Sequence, residues 1–224
     1  IPPFKITKQD FVVWEALDPH PRNPDAVVWI ATNKHGTKFI CNEFYNADFI
    51  NAKWRPYRIT TASLAEEVIR ISSRYRLEER ICDPSAFIEN QHDSEPEKAS
   101  LQAKLSELGL DYQRATKDRK TADRRIKDAL DFEKVGDEII SAPELYIFSS
   151  CPRTIWEFEH YQWDDWRGRA AERKDPKEAP MDKDDHCLEC IGRILVQEPQ
   201  WYQMEAQSFQ NHIGVKKDFD PFDR

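Results

Sequence analysis

The stretch Phe11-Val12-Val13-Trp14-Glu15-Ala16-Leu17-Asp18-Pro19, with Ala26-Val27-Val28-Trp29-Ile30-Ala31-Thr32 behind it, sets the architecture of this chain. Both runs are rich in β-branched and aromatic residues and nearly continuous in hydrophobicity, as buried strands are. The segment between them, Pro19-His20-Pro21-Arg22-Asn23-Pro24-Asp25, carries three prolines in six positions and can continue neither strand. Asn33-Lys34-His35-Gly36 reads as a tight hairpin turn, and residues 37–45 as a third strand antiparallel to the second. Three strands joined by short loops make an antiparallel meander.

Beyond these strands the period changes. Residues 61–75 carry Leu64, Val68, Ile69 and Ile71 at helical spacing, with acids early and arginines late. Residues 79–84 read as a short strand ending on Cys82-Asp83-Pro84, 101–108 as a helix closed by Gly109, and 110–116 as a brief strand. A helix over 121–132 turns Ala122, Ile126, Ala129 and Leu130 inward; a strand follows at 144–148 and a helix at 153–163. The last helix, 184–196, carries one apolar stripe at positions 187, 188, 191, 194 and 195. A meander followed by alternating helices and strands predicts an α/β mixed sheet with helices on both faces. The predicted domain spans 1–197, with charge-rich loops at 90–98 and 164–183 and a polar tail at 198–224.

Composition narrows the function. The 224 residues hold 33 Lys and Arg against 41 Asp and Glu, a net charge of −8, and no run approaches the ~18 apolar residues of a membrane span. The six glycines stand at 36, 109, 136, 168, 192 and 214, the nearest two 22 residues apart. A P-loop or dinucleotide fingerprint needs two or three glycines within about eight residues, so neither motor nor Rossmann chemistry belongs to this chain by itself. Five cysteines, an odd number, read as reduced thiols; His186-Cys187-x-x-Cys190 lacks the second ligand pair of a structural zinc site. The chain begins without Met on a Pro-Pro pair, as a piece of a longer polypeptide would.

Two strands end on Asp-Pro, at Asp18 and at Asp83, and side chains at the carboxyl ends of neighbouring strands converge where ligand crevices form. On the last helix Asp182, Asp185 or His186, Glu189 and Arg193 repeat every three to four residues opposite the apolar stripe. If that helix packs near both strand ends, three carboxylates meet. Such a cluster repels itself unless cations occupy it. Hard divalent ions prefer oxygen, and two of them ~3.5–4 Å apart clamp a phosphodiester during in-line displacement. Either Asp185 or Glu189 suits the third position.

A basic tract offers a partner surface. Arg114, Lys117, Arg119, Lys120, Arg124, Arg125 and Lys127 place seven positive charges in fourteen residues of an acidic chain. Lys120, Arg124 and Lys127 share one helical face, suited to sequence-independent contact with DNA phosphates. Glu43, at the end of the third strand, could add a ligand but reads first as an exposed strand-end acid, and His20 and His160 carry no partner signal.

Three stretches together resemble the C-terminal nuclease domain of the large terminase subunit of tailed bacteriophages. They are Trp14 to Pro19 with Asn23 to Trp29, Ile81-Cys82-Asp83-Pro84-Ser85-Ala86, and Asp184-Asp185-His186-Cys187-Leu188-Glu189-Cys190-Ile191. The resemblance implies a ribonuclease H-like fold and a Mg²⁺- or Mn²⁺-dependent endonuclease that cuts concatemeric viral DNA during genome packaging with two divalent ions. It implies Asp18 and Asp83 as the first two metal ligands and Glu189 as the third, where the family most often has Asp. His186 would stand close to the metal or the scissile phosphate, with Asp185 as the other candidate ligand. The implied partners are double-stranded DNA, an ATPase domain of the same polypeptide, the small terminase subunit and the portal protein, in the cytoplasm of an infected bacterium. The rival readings are a structure-selective, resolvase-like nuclease and a non-catalytic docking module of a packaging complex.

Overall fold

The structure, a computed structural model, describes residues 1–20, 24–88, 99–161 and 184–203. The chain opens with β1 (Phe11–Asp18), β2 (Ala26–Asn33) and β3 (Lys38–Tyr45), then a small hairpin of β4 (Ala47–Ile50) and β5 (Lys53–Pro56). Next come α1 (Thr61–Ser72), β6 (Leu77–Cys82), a 3₁₀ turn at Pro84–Phe87, α2 (Leu101–Glu107), β7 (Gln113–Arg114) and α3 (Arg119–Leu130). A second hairpin, β8 (Glu133–Val135) and β9 (Glu138–Ser141), precedes β10 (Leu145–Ile147), α4 (Pro152–His160) and α5 (His186–Val196).

Six strands form one sheet in the order β10-β3-β2-β1-β6-β7. The expected meander is there: β1 pairs antiparallel with β2 from Phe11↔Asn33 to Asp18↔Ala26, and β2 pairs antiparallel with β3. Gly36 makes the β2–β3 turn possible with φ of 82°, a conformation that costs a side-chain-bearing residue energy. The remaining neighbours, β1–β6, β6–β7 and β3–β10, are parallel. β1 and β2 are the centre of the sheet and bury both faces; Val12, Val13, Ala16, Leu17 and Val27 through Ala31 are inaccessible to solvent.

Helices cover both faces. On one, α1 sets Leu64, Val68 and Ile71 into the core, and its Ser72 hydroxyl meets the Glu15 carboxylate and the Trp29 indole. Alternation along β1 sends Asp18 to the opposite face, where α5 lies on β1 and β2 with α3 and α4 beside it. Glu15 itself is fully buried, with its carboxylate 2.7 Å from the Tyr112 hydroxyl, 2.9 Å from Trp29 Nε1 and 3.2 Å from Arg80 Nε. Burial pushes its pKa up while Arg80 and the three donors pull it down.

Several elements differ from the sequence reading. The strand expected at 110–116 shortens to Gln113–Arg114, the first long helix ends at Ser72 with Ile69 exposed, and α4 ends at His160. The hairpins β4–β5 and β8–β9 lie where no strand is expected. Phe49, Ile50, Val135, Ile139 and Ile140 stay exposed on them, so no buried alternation marks these segments. The expected loops at 90–98 and 164–183 and the tail from residue 204 lie outside the described residues. The start of the tail docks: Trp201 packs against the core and the Arg76 guanidinium sits 4.4 Å from the Tyr202 ring. No helix of the described residues is long and apolar enough to cross a membrane.

Candidate metal centre

Strand register builds the site. Leu17 pairs with Cys82 in the parallel β1–β6 ladder, and the Asp83 amide donates to the Leu17 carbonyl at 3.1 Å. Asp18 and Asp83 therefore leave the sheet side by side at its carboxyl edge. Asp83 caps the 3₁₀ turn, its Oδ1 accepting from the Ser85 amide at 2.7 Å, which fixes the carboxylate's direction. α5 brings Glu189 to the same point: single ligand oxygens of Asp18, Asp83 and Glu189 all lie within 4.8 Å of one another. Among the described residues this is the one His, Cys, Asp or Glu group with metal-ligand spacing. Cys187 and Cys190 face the core, as do the other three cysteines, and all five are free thiols.

The remaining α5 candidates stand around this cluster. His186 Nδ1 lies 2.8 Å from Asp18 Oδ2. Burial disfavours the imidazolium, but the hydrogen bond and charge of Asp18, with Glu157 and Asp185, outweigh it and raise the pKa. Asp185, the alternative third ligand, is buried one turn earlier and held by Arg119 rather than converging on Asp18 and Asp83. For Asp83, burial works to raise the pKa, but the Ser85 hydrogen bonds and the charges of Arg193 and Lys117 hold it below the usual carboxylate range. Burial raises that of Glu189 against the pull of Arg193, with Asp18 and Asp185 adding to the rise.

Arg193 occupies the middle of the cluster. Its Nη1 is 2.9 Å from Asp18 Oδ1, its Nη2 is 2.7 Å from Asp83 Oδ2, and it also bonds Glu189 one turn back on α5. By sequence alone Arg193 is only one member of a polar stripe. Asp25 is a second unforeseen neighbour: it directly precedes β2, whose first residue Ala26 pairs with Asp18, and its pKa is raised by burial and by Asp18. The His20 ring lies 5.6 Å from that of His186.

The basic tract divides in two. Lys117 and Arg119 follow β7 and line the cleft beside Asp83 and Glu189, with Arg119 Nη1 3.8 Å from Glu189 Oε1. On α3, Lys120 and Arg124 are exposed and Lys127 lies on the same face, whereas Arg125 pairs with Glu198. Glu43 departs from the exposed acid expected: its carboxylate accepts from the Arg153 and Thr154 amides, each at 2.8 Å, and caps α4. Glu157, on α4, does the same for α5, accepting from the Cys187 and Leu188 amides at 2.8 and 3.0 Å while Arg153 Nε donates to it at 2.8 Å. Two helix N-termini are thus tied to carboxylates, a favourable dipole geometry, and the second tie sets where His186 and Glu189 emerge.

Neither protein-family models nor curated protein sequences match this chain. Solved structures do. The large terminase of a thermophilic bacteriophage superposes with a TM-score of 0.60 at 20% identity over 88% of this chain and 42% of that one. The same terminase in complex with ADP gives 0.61 at 19% identity over 87% and 41%. The P22 large terminase nuclease domain gives 0.58 at 13% identity over 88% of this chain and 86% of the domain. The chain thus spans less than half of the thermophilic phage protein but most of the P22 domain. By its six-stranded mixed sheet, its flanking helices and these superpositions, the chain has the fold of a phage large terminase nuclease domain.

Proposed function

We propose that this chain is a divalent-metal-dependent endodeoxyribonuclease that cuts concatemeric viral DNA during genome packaging. The observation that carries the reading is the convergence of Asp18, Asp83 and Glu189, from two adjacent strand ends and one helix, within 4.8 Å. Three carboxylates held this close are an all-oxygen donor set that suits Mg²⁺ or Mn²⁺ rather than a thiophilic metal. Two ions bound there would supply a hydroxide nucleophile and stabilise the leaving 3′ oxygen. Asp18, Asp83 and Glu189 are the ligands; Asp185 serves by anchoring Arg119 at the rim.

The chain's other residues bind and orient. His186, its Nδ1 tied to Asp18, is positioned to hold a proton beside the scissile phosphate. Lys117 and Arg119 line the cleft beside the carboxylates and lead on to α3, so a duplex lying across Lys120, Arg124 and Lys127 has a continuous path of positive charge into the cleft. Arg125, paired with Glu198, contributes from the edge of that face. These contacts read phosphates and carry no base specificity. In this reading the domain works with an ATPase domain of its own polypeptide, the small terminase subunit and the portal, in the cytoplasm of the infected host.

Incubating the chain with supercoiled plasmid and Mn²⁺, Mg²⁺ or EDTA, beside Asp83→Asn, tests this. Metal-dependent nicking and linearisation, lost in the variant, is the expected result. Cleavage that survives the substitution would refute the ligand assignment.

A further inference from the structure

We propose that Arg193 is a built-in counter-ion that closes the three-carboxylate site, and that a divalent cation binds there by displacing its guanidinium. The inference rests on the reading of Asp18, Asp83 and Glu189 as metal ligands and concerns how that site is regulated.

The oxygens of the three acids carry the argument. Each acid turns one oxygen to Arg193: Asp18 Oδ1 at 2.9 Å, Asp83 Oδ2 at 2.7 Å and Glu189 Oε2 in a close ion pair. Each turns its other oxygen elsewhere: Asp18 Oδ2 to His186 Nδ1 at 2.8 Å, Asp83 Oδ1 to the Ser85 amide at 2.7 Å, and Glu189 Oε1 towards Arg119 at 3.8 Å. Arg193 is therefore the donor that all three acids have in common.

A cation that ligates Asp18 Oδ1, Asp83 Oδ2 and Glu189 Oε2 meets the same oxygens that Arg193 holds. A divalent ion needs lone pairs at roughly 2.0–2.6 Å, and here those lone pairs face guanidinium N–H groups. The ion and the guanidinium compete for those lone pairs, because a lone pair that accepts an N–H cannot at the same time ligate a metal, and their like charges repel at that range. The Arg193 side chain is only 9% exposed, and a guanidinium keeps its proton in proteins, so it does not yield by deprotonation. It yields by rotating. Arg193 lines the same cleft as Lys117 and Arg119, and a guanidinium released into that cleft joins them on the phosphate path. Metal entry and phosphate capture then become one coupled event, in which the site gains an ion and the DNA path gains a charge.

Mn²⁺ titration calorimetry on the full chain and on Arg193→Gln tests the proposal. The variant should bind Mn²⁺ at least about tenfold more tightly, within the usual range of coupling between competing ligands. Should the variant fail to fold, the unaltered protein decides. Phenylglyoxal should modify Arg193 slowly alone and several-fold faster with saturating Mg²⁺, read by mass spectrometry. Equal or weaker Mn²⁺ binding by a folded variant, or labelling that Mg²⁺ does not accelerate, would overturn the displacement while leaving the metal reading intact. Failure of both proteins to bind Mn²⁺ would remove the metal reading and this proposal with it.

Discussion

Gly192→Ala is the perturbation whose sign the structure decides. Gly192 lies inside α5, between the two site residues Glu189 and Arg193 and close to the buried Ile194. Helix propensity alone makes the substitution stabilising by up to ~1 kcal/mol, since glycine is the costlier residue in a helix interior. Packing opposes it. A Cβ at position 192 falls 2.7 Å from the Cβ of Ala122 on α3 and 3.6 Å from its Cα and from Ile126 Cδ1. The nearest atom is a methyl rooted on a helix backbone, with no rotamer to retreat into, so α3 and α5 must separate. Overpacking of this kind costs about 1–3 kcal/mol. The net expectation is a loss of about 1 kcal/mol, or roughly 2–4 °C in Tm for a domain of this size. Arg119 enters from α3 and Glu189 from α5, so the separation also loosens the rim of the site. Urea and thermal denaturation of Gly192→Ala, Ala122→Gly and the double variant measure this directly. In the double variant the methyl that causes the clash is gone, so the coupling between the two changes should favour stability by about 2 kcal/mol, the size of the relieved clash. A Gly192→Ala protein more stable than the parent would refute the close helix approach.

Other expectations follow from the same geometry. Asp83→Asn keeps an acceptor for the Ser85 amide but loses the charge that faces Arg193, so the fold should persist while the rise in Tm on adding millimolar Mn²⁺ shrinks; an undiminished rise would count against Asp83 as a ligand. Burial lifts Glu157 to about 7 from 4.5, against the pull of Arg153 and the α5 amides. The folded state then binds this proton more tightly than the unfolded one, so its contribution to stability is fullest below pH 4.5 and declines up to pH 7, by at most about 3 kcal/mol. Glu157→Gln should flatten that part of a urea-stability profile between pH 5 and 8, and an unchanged slope would show that Glu157 ionises normally. Replacing Lys120, Arg124 and Lys127 together with Gln should lower the slope of log DNA affinity against log salt by up to about 2.7, at ~0.9 for each phosphate no longer neutralised. A slope equal to the parent's would mean that this face of α3 does not meet DNA.

Different residues are legible to different degrees. Asp18 and Asp83 stand out because proline stops a strand, so each acid is marked as a strand end by its own neighbour. Glu189 is legible from helical spacing, though Asp185 fits equally well. Choosing between them needs the rotation of α5 on the sheet, which its buried residues set collectively. Arg193 is visible without its role: an arginine four residues after a glutamate is an ordinary surface pair, and here that pair is pressed onto two more acids. Glu43 and Glu157 are not legible as caps at all. A carboxylate that caps a helix from another element leaves no local trace, because its partners are amides that every residue but proline carries.

Local sequence dictated the order and type of the principal elements, the meander, the absence of a glycine-rich phosphate loop and the two acids at strand ends. All of these follow from interactions within one strand, turn or helix, where proline, glycine and hydrophobic period act directly. Long-range packing determined that β6 pairs parallel with β1, which sets Asp83 beside Asp18; that Glu189 and not Asp185 completes the cluster; and that Arg193 fills it. Those outcomes depend on segments far apart in the chain burying their apolar faces together. Their charged residues are carried to wherever that burial leaves them, so the convergence of the site is decided by packing and by no local pattern.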